Sequence, residues 1–385
     1  MHAVNGIRSG NFVPFSLLLA AAFLCVAVRT KAIEPLGDNS ELFITGVVTV
    51  SENDNIFLSN SNPTSSEITD LTPGLSYEFG KTDSQTQGQV AYYEDFQFFS
   101  KSGSQLDNQL GNFVFSTKYD DAKTKLNLDA TWHQADEAEV GIQNLAFLVD
   151  RNLYHIDGTG EVQITEKSSV GTGVVFDDTT YNTAGYANYK YVEVPVDYYF
   201  KVEPKLDLSA GFRYRSNTVG GNNIDSNDFY YNVGARGEFT PKLTGEFDVG
   251  YLQQNFDNGT TASGLGADSH FVYAVDPKNS VTLSIGDDYT YFPTGLPVRN
   301  LAIALGATSA LSEQWSITGQ LGYNYYAYIT TTQIDNYYPV TVGVKYVIAK
   351  YLTVSANYTH SEDSSNVLVY NFRDNIFSVS AFLHY

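Results

Sequence analysis

Apolar and polar residues alternate with a period of two along much of this chain, and no other feature constrains the fold as strongly. In one such stretch Trp315, Ile317 and Tyr323 share one parity, while polar and small residues dominate the other. The segments 243–251 and 352–359 alternate in the same way. Successive side chains of a strand point to opposite faces, whereas a helix repeats every 3.6 residues. These segments are therefore predicted to be strands with one apolar face.

Short polar turns separate the strands at a nearly constant spacing. The clearest five are Glu203-Pro204-Lys205, Thr240-Pro241-Lys242, Asp276-Pro277-Lys278, Leu311-Ser312-Glu313 and Ala349-Lys350-Tyr351. From Lys205 onward, equivalent positions of successive turns lie 37, 36, 35 and 37 residues apart. Weaker turns near Lys81, Asp121 and Lys167 extend the series. Each repeat holds two strands and one longer loop, which indicates a chain of β-hairpins.

Eight turns account for sixteen strands, and Phe43–Val50 and Asn375–Tyr385 add one strand at each end. The segment Gln134–His155 is too long for a tight connection, so sixteen strands is the alternative. Soluble β-propellers also repeat at about 40 residues, but they lack long strands with one continuous apolar face. We predict an all-β fold: a transmembrane, antiparallel, up-and-down β-barrel of the outer-membrane type, with about 18 strands of roughly 9–11 residues.

The composition supports a barrel. The chain has 29 Tyr, 24 Phe and 31 Gly but one Met, and its mean hydropathy of −0.21 is too low for a bundle of membrane helices. In a barrel only alternate residues face lipid, so a polar average is expected. Aromatic residues near strand ends are predicted to form interfacial girdles, namely Tyr198, Tyr199, Phe200, Tyr323, Tyr325, Tyr326 and Tyr328.

The first 32 residues have the pattern of a secretory signal peptide. Arg8 precedes the largely apolar stretch Val13–Val28, and Ala32 supplies a small residue for cleavage. A retained membrane anchor is the alternative. We expect residues 33–385 to form the mature barrel. The single cysteine, Cys25, would be lost with the leader, which excludes disulfides and thiolate chemistry in the mature chain.

The charge balance is strongly acidic. The chain carries 22 basic and 43 acidic residues, and the predicted leader contains three of the basic residues (Arg8, Arg29 and Lys31) and no acidic one. Nucleic acid and anionic lipid are attracted by basic surfaces, so we expect neither as a partner. Most of the acidic excess is expected on solvated loops.

The last predicted strand ends on an aromatic residue. Every second position up to the end of the sequence is apolar, namely Phe377, Val379, Ala381, Leu383 and Tyr385. An alternating strand with a terminal aromatic resembles the signal that the barrel-assembly machinery of the outer membrane recognises. An apolar edge strand without that role is the alternative.

Two segments near the start of the predicted barrel resemble a known family. Glu52-Asn53-Asp54-Asn55-Ile56-Phe57 is followed by Asp70-Leu71-Thr72-Pro73-Gly74-Leu75. This order is similar to the opening of the putative β-barrel porin type 2 family, and the later Pro-Lys-Leu and Ala-Lys-Tyr-Leu turns are similar to its hairpins. The resemblance covers essentially the whole predicted barrel. It implies an outer-membrane barrel for passive diffusion or for export of surface polysaccharide, and it carries over no functional residue.

Charged residues of the lumen follow from the parity of the apolar face. Phe212 and Tyr214 are predicted to face lipid, which turns the neighbouring arginines inward. The same reasoning on three adjacent strands gives a lumenal band of both charge signs, formed by Arg213, Arg215, Arg236, Glu238, Glu246 and Asp248. In a porin such a band sets a transverse field that filters solutes by charge. Mutual neutralisation without a filtering role is the alternative.

The segment Gln134–His155 would be the third surface loop. It begins with acidic residues and continues with apolar ones such as Val140, Ile142 and Phe147. Apolar residues of an exposed loop need a place to be buried, so we hypothesise that the loop folds into the barrel and narrows the pore. A hairpin extension above the membrane, or a further part of the wall, is the alternative.

No arrangement of residues predicts catalysis, a cofactor or a metal site. The histidines outside the leader (His133, His155, His270, His360 and His384) are scattered without the spacing of metal ligands. Asp177-Asp178 and Asp287-Asp288 are acid pairs, but adjacent residues of a strand point to opposite faces and cannot share a proton. We expect these pairs to be solvated strand ends or loose divalent-cation sites. The chain is therefore predicted not to be an enzyme.

Together these observations predict a channel in the bacterial outer membrane through which small hydrophilic solutes diffuse passively. The acidic excess predicts a modest preference for cations. One alternative is a component of exopolysaccharide export, for which tyrosine and tryptophan in the lumen would form a sugar-stacking track. Another is a plugged barrel that acts as a surface scaffold or receptor. An apolar strip on the outer face would also allow a homo-trimer.

Overall fold

The computed structural model describes residues 39–80, 84–101, 103–141 and 147–385. The predicted signal peptide, its alternative as an anchor and Cys25 lie outside these ranges. Two helical segments are short, α1 (Gly103–Leu106) and a 3₁₀ turn (Leu368–Tyr370). No helix of the described ranges is long and apolar enough to span a membrane. The strands are β1 (Ser40–Asn53), β2 (Ser66–Phe79), β3 (Thr86–Phe99), β4 (Asn108–Asp120), β5 (Thr124–Glu137), β6 (Val149–Thr165), β7 (Ser168–Tyr181), β8 (Tyr189–Glu203), β9 (Leu206–Val219), β10 (Ser226–Thr240), β11 (Leu243–Phe256), β12 (Thr261–Asp276), β13 (Asn279–Tyr291), β14 (Pro297–Ala310), β15 (Trp315–Tyr328), β16 (Ile334–Ala349), β17 (Leu352–Ser365) and β18 (Phe372–His384).

Each strand pairs antiparallel with the next one along the chain, and the last strand pairs with the first. The ladder between β1 and β18 runs from Thr45–His384 to Asn53–Ile376 and closes the sheet. The up-and-down barrel and its count of 18 strands are thereby confirmed. Closure removes the two open edges that a flat sheet of this size would expose.

The predicted turns join neighbouring strands at one end of the barrel. At two of them a side chain fixes the reversal: Asp276 Oδ1 accepts the backbone N–H of Lys278 at 2.8 Å, and Thr240 Oγ1 accepts that of Leu243 at 3.0 Å. Short polar side chains that bond to the backbone two or three residues ahead favour such turns. The predicted turn near Lys81 lies partly outside the described residues, between β2 and β3.

The strands are longer than predicted. They have 13 to 17 residues, because the ladder continues past the apolar band. It extends towards the end of the barrel that carries the longer connections, which we call the loop end; the short turns lie at the opposite end. The largest correction concerns Gln134–His155, half of which is strand: β5 runs to Glu137, β6 begins at Val149, and Glu137–Val149 is their last ladder pair. The described residues between these strands are 138–141 and 147–148. Beyond the lipid a ladder needs no apolar face, so polar residues can extend it.

The outer face carries the apolar residues, as the alternation predicts. Val233 and Val249 are 60% and 49% exposed on this face. The girdle assignment is partly wrong. The residues of outer parity are Tyr198, Phe200, Tyr323 and Tyr325, whereas Tyr199, Tyr326 and Tyr328 face the lumen. Neighbouring residues of a strand alternate between faces, so a run of aromatic residues cannot lie wholly in lipid.

Buried apolar residues gather near the loop end in four small clusters. They are Ile56, Phe99, Leu106 and Leu148; Ala187, Val219, Phe256 and Tyr291; Tyr230, Leu252 and Tyr289; and Phe292, Val298 and Tyr328. Each cluster joins residues of different hairpins. The loop end is therefore packed, and the turn end is the more open half of the barrel.

Val233→Arg tests the assignment of the two faces. Val233 lies midway along β10 and faces lipid, so we expect a loss of about 2–4 kcal/mol in the free energy of unfolding. The matched control is Asn232→Arg on the adjacent, lumen-facing position, where water receives the charge and a loss below about 1 kcal/mol is expected. Denaturant unfolding in lipid vesicles measures both. Equal losses would contradict the assignment.

Candidate functional site

The charged residues predicted to line the lumen lie on the inner face of the barrel. In the ladders of β10, Arg213 stands opposite Tyr230 and Arg236 opposite Glu246, at positions that alternate with the exposed apolar residues. They do not form one continuous band. Arg213 and Arg215 belong to a network near the loop end, and Arg236 belongs to a second network near the turns.

Arg215 is held on several sides. Its guanidinium donates to Asp228 Oδ2 at 2.7 and 2.9 Å and to the two Asp288 oxygens at 3.0 and 3.1 Å. It also donates to the backbone oxygen of Tyr289 at 2.8 Å, and it lies 5.4 Å from the ring centre of Tyr191. The side chain is only 7% exposed. A buried arginine keeps its charge under these conditions because two carboxylates and a carbonyl pair with it.

The ion pairs to Asp288 cross the lumen. Arg213 and Arg215 lie on β9 and Asp288 lies on β13, four strands further along the wall, yet Arg213 Nη2 is 2.7 Å from Asp288 Oδ2. Adjacent strands are about 4.8 Å apart, so four spacings amount to roughly 19 Å of wall. The contact forms because the loop end of β13 has left the wall and lies inside the barrel.

The pairing of β13 shows where it leaves. Its ladder with β12 runs from Asp276–Asn279 to Ala267–Asp287, and the described residues Thr261–Gly266 of β12 have no ladder partner on β13. β13 nevertheless continues to Tyr291 and stays paired with β14. Residues 288–298, which we call the inner tip, therefore turn inward as a unit.

The inner tip packs against the inner face of the strands beside it. Tyr289 is 4% exposed and clusters with Tyr230 of β10 and Leu252 of β11. Tyr291 donates through its hydroxyl to Ser226 Oγ at 2.9 Å, and its ring centre lies 5.0 Å from that of Tyr189. The tip is thus buried on the face that would otherwise meet lipid.

An ion pair fills the seam at which β13 leaves β12. Arg299 Nη2 of β14 lies 2.5 Å from Asp287 Oδ2, and it donates to the backbone oxygen of Leu265 at 2.9 Å. A Cβ atom at Gly264 would lie 3.1 Å from Arg299 Nη1, so the absent side chain leaves room for the guanidinium. Arg299 thereby satisfies a carbonyl that the interrupted ladder leaves without its strand partner.

The described part of the β5–β6 loop reaches the inner tip from the opposite wall. Val140 packs on the cluster that contains Phe292 and Tyr328, and a Cβ atom at Gly141 would lie 3.1 Å from the Phe292 ring. β5 and β13 are eight strands apart in a ring of 18, so these contacts span the lumen. The hypothesis that this loop folds inward is confirmed for these residues. Residues 142–146 lie outside the described ranges.

The acidic start of this loop is paired with the wall. Arg151 Nη2 lies 2.8 Å from Glu137 Oε1 and 2.9 Å from Glu139 Oε2, and the Tyr181 hydroxyl donates to Glu139 at 3.3 Å. Burial raises the pKa of Glu139 above its ordinary value, although Arg151 acts in the opposite direction. The acidic residues therefore anchor the loop.

Arg236 organises the second network. Its Nη2 lies 2.7 Å from Glu161 Oε1 and 3.4 Å from Asp207 Oδ2, and its guanidinium lies 3.3 Å above the ring centre of Tyr199. Glu238 pairs with Lys205 at 2.5 Å beside the turn. The three arginines of the predicted band are therefore neutralised by partners on other strands.

Three neighbouring carboxylates on β11 and β12, Glu246, Asp248 and Asp268, have no such basic partner. Asp248 and Asp268 are ladder partners on β11 and β12, and Glu246 lies two residues before Asp248 on the same face. Asp248 Oδ1 accepts the Tyr230 hydroxyl at 2.5 Å. Within the described ranges no ion pair joins any of these three to a basic residue. They add negative charge without a paired basic residue to the inner face of β11 and β12.

The inner faces of β14 to β18 are nearly neutral midway along the strands, whereas Asp335, Asp363 and Asp374 face inward near the loop end. Midway along these strands the inward residues are mostly Gly, Ala, Ser, Thr, Asn and Gln, for example Gly306, Gln320, Thr341, Asn357 and Ser378. Gln320 is exposed although it faces inward, so water reaches this part of the lumen.

Parity alone could have identified some acidic partners of the arginines that the predicted band did not include. Glu193 and Asp228 lie opposite Arg215 on β8 and β10, so assigning faces to those strands would have added them. Asp288 shows the inward parity too, but no rule of alternation places it against Arg213. That contact depends on the inner tip, for which the sequence carries no separate signal.

The acid pairs divide between faces as predicted, but they are not solvated ends. Asp288 joins the arginines of β9, whereas Asp287 joins Arg299 on the other face. Asp177 lies 2.9 Å from His155 Nδ1, and Asp178 accepts the Thr180 hydroxyl at 3.1 Å. In the described part of the chain, no group of three His, Cys, Asp or Glu residues could hold a metal ion.

Comparisons with known proteins agree with this architecture. A family model described as Putative beta-barrel porin 2 matches residues 53–385. No curated protein sequence matches the chain. OccAB2 of Acinetobacter baumannii superposes with a TM-score of 0.50 at 11% identity, covering 92% of this chain and 99% of that one. OpdK of Pseudomonas aeruginosa, solved with vanillate, gives 0.48 at 10% identity and covers 89% and 99%.

The FrpB iron transporter of Neisseria meningitidis is similar over part of its length. Its TM-score is 0.47 at 10% identity, and the match covers 85% of this chain but 62% of FrpB. This chain therefore spans less than two thirds of that protein. At 11% identity the similarity to OccAB2 shows the barrel fold alone.

Arg215→Gln tests the network at the loop end. The change leaves the buried Asp228 without its counter-charge and leaves Asp288 with Arg213 alone, so we expect a loss of about 3–5 kcal/mol in the free energy of unfolding. Lys205→Gln is the matched control, because its ion pair with Glu238 is exposed and should contribute less than about 1 kcal/mol. Denaturant unfolding in vesicles at neutral pH measures both. If Arg215→Gln lowered the free energy of unfolding no more than the control does, the network would not contribute to stability.

Proposed function

The chain belongs to the putative beta-barrel porin 2 family, and we propose that it lets small hydrophilic solutes diffuse passively across the bacterial outer membrane. The observation that carries this proposal is the water-accessible, polar inner face of a closed 18-stranded barrel. Barrels of 16–18 strands leave an aqueous channel, whereas barrels of about eight strands are filled by their own side chains. Polar strand faces replace part of the hydration of a passing solute.

The lumen supports two kinds of contact with a solute. The neutral middle part of β14 to β18 offers hydroxyl and amide groups, as in the pair Thr341–Thr359, whose hydroxyl oxygens are 3.2 Å apart. The inner face of β11 and β12 offers carboxylates that lack a basic partner, namely Glu246, Asp248 and Asp268. We propose that these carboxylates, rather than the neutralised arginines, give the channel a modest preference for cations. Two of these carboxylates, Glu246 and Asp248, belong to the band predicted from sequence, whereas Asp268 does not, and Glu238 of that band is paired with Lys205.

Neutralising the unpaired carboxylates should reduce the preference for cations. We expect the triple change Glu246→Gln, Asp248→Asn and Asp268→Asn to move the cation-to-anion permeability ratio towards one, because the lumenal field weakens. Reversal potentials under a salt gradient in planar bilayers measure the ratio. Glu94→Gln is the control, since Glu94 faces outward beside Tyr92 and Gln109. Firm anion selectivity of the unaltered protein would contradict the proposal.

Exopolysaccharide export finds less support in the lining. Both tryptophans of the chain, Trp132 and Trp315, have outer parity and cannot stack on a polymer in the lumen. Lumenal tyrosines such as Tyr189 pack around the inner tip rather than along an open path. A scaffold or receptor would require a permanently blocked lumen, so negligible conductance of the purified barrel would favour that function instead.

We also propose that β18 carries the signal for the barrel-assembly machinery. Phe377, Val379 and Leu383 share the outer parity of this strand, and Phe377 and Val379 are 53% and 42% exposed. Tyr385 ends the row, and its backbone N–H donates to Ile44 at 2.9 Å. The same residues therefore suit both recognition during insertion and closure of the barrel.

Tyr385→Ala should lower the fraction of chain that reaches the outer membrane as folded barrel. Phe382→Ala is the matched control: it removes an aromatic ring three residues earlier, from a side chain that faces the lumen. Resistance of the folded band to unfolding by detergent at room temperature on a gel, measured in membrane fractions, reports assembly. Equal assembly of both variants would assign the terminal row to packing alone.

A further inference from the structure

We infer that the inner tip is a gate with two positions: tucked into the lumen, as here, and zipped onto β12 as part of the wall. The inference rests on the proposed channel function and goes beyond it by naming the element that moves. It is carried by three observations: the interrupted ladder of β12, the sequence of the tip, and the contacts that hold the tip inside.

The first observation is that β12 offers an unused edge. Thr261–Gly266 remain in strand conformation and pair with β11, but their other edge has no ladder partner. In a membrane wall such an edge is costly, because backbone groups need partners where water is scarce. Arg299 satisfies one carbonyl of this edge, that of Leu265. The remaining edge is a ready template for the strand that has left it.

The second observation is that the tip suits the wall as well as the lumen. Tyr289 and Tyr291 continue the outer parity of Leu283 and Ile285. If the ladder were extended pair by pair beyond Ala267–Asp287, Tyr289 would stand opposite Leu265, which is 75% exposed. Leu265 pairs with the outward Tyr251 in turn. The zipped tip would thus add its tyrosines to the aromatic girdle, where such residues are favoured.

The third observation is that polar contacts hold the tucked position. Asp288 binds Arg213 and Arg215, and this bond cannot form with the tip in the wall, where four strand spacings separate β13 from β9. Asp288 is also 33% exposed, so water is at hand to replace the arginines. The ion pairs therefore form a latch that can open while Arg215 keeps its pair with Asp228 and both arginines stay near Glu193.

A point of bending lies next to the seam. Gly286 precedes the last paired residue, Asp287, and a Cβ atom at Gly286 would meet nothing within 4 Å on the lumenal side. Glycine within a strand often marks a bend. The tucked tip meets Val140 and Gly141 across the lumen, so its return to the wall would widen the mouth. Two packings with different partners are what a two-state element requires.

Two cysteine pairs that share one position separate the two states. L252C/Y289C joins the tip to β11 in the tucked position, and L265C/Y289C joins it to β12 in the zipped position. Both are made with Cys25→Ser and recorded in planar bilayers, each after oxidation and again after reduction. We expect oxidised L252C/Y289C to conduct severalfold less than its reduced form, and oxidised L265C/Y289C severalfold more.

F271C/L283C is the matched control pair. These residues are ladder partners on β12 and β13 in the part that stays paired, so oxidation should leave conductance unchanged. If this pair oxidises but L265C/Y289C does not, the two positions never meet and the gate is refuted. Equal conductance of the oxidised and reduced forms of both test pairs would refute it as well. A barrel that conducts in none of these forms would refute the channel function itself and the gate with it.

A substitution without cysteines tests the latch separately. Asp288→Asn removes the negative charge from both ion pairs across the lumen without changing the size of the side chain. The open fraction in single-channel records should therefore rise severalfold. Glu161→Gln is the control, since it removes an acidic partner of Arg236 in the network near the turns. An open fraction that is unchanged by Asp288→Asn, or changed equally by both variants, would contradict the role of Asp288 as latch.

Discussion

Backbone pairing in the membrane is the constraint on which the rest of this structure depends. A strand in hydrocarbon must find partners for its N–H and C=O groups on both edges, and the ladder between β1 and β18 provides the last of them. Once the ring is closed, alternation leaves each strand one face for lipid and one for the lumen. The chemistry of the lumen is then fixed by parity, which is why charges on β9, β10 and β11 converge there.

The same constraint explains what happens where pairing stops. The ladder of β4 and β5 ends at Asn112–His133, and the next backbone N–H on β4, that of Gly111, donates to the side chain of Gln134 at 2.8 Å. On the opposite side of the ring, the guanidinium of Arg299 donates in the same way to a backbone carbonyl of β12, that of Leu265. In both places a polar side chain replaces a strand, and the hairpin that begins there leans over the lumen.

The sequence predicts the features that repeat in every hairpin, and it misses the contacts that occur at one place in the barrel. Turn spacing and alternation are enforced at every hairpin, so the count of strands and the inward parity of residues such as Arg213 and Arg236 are predictable. Runs of neighbouring tyrosines mislead the prediction of the girdle. Tyr326 and Tyr328 are of the residue type found in girdles, but their parity turns them towards the lumen. The contact between Asp288 and Arg215 is out of reach for a different reason: it joins strands that are distant in the wall, and local patterns describe only the wall.

The use of ion pairs at the inner tip has a physical consequence. Replacing a buried ion pair by well-packed apolar residues is often neutral or stabilising, so such pairs are weak evidence of stability. What they supply is a position, because Arg215 binds Asp228 and Asp288 at the same time only when the tip lies in the lumen. Beside a water-filled lumen the cost of separating these charges is lowered, since water can solvate the partly exposed Asp288 while Arg215 keeps its pair with Asp228. An apolar contact of the same size would gain nothing from water on separation. Charged contacts at the tip therefore combine a defined closed position with a low barrier to leaving it.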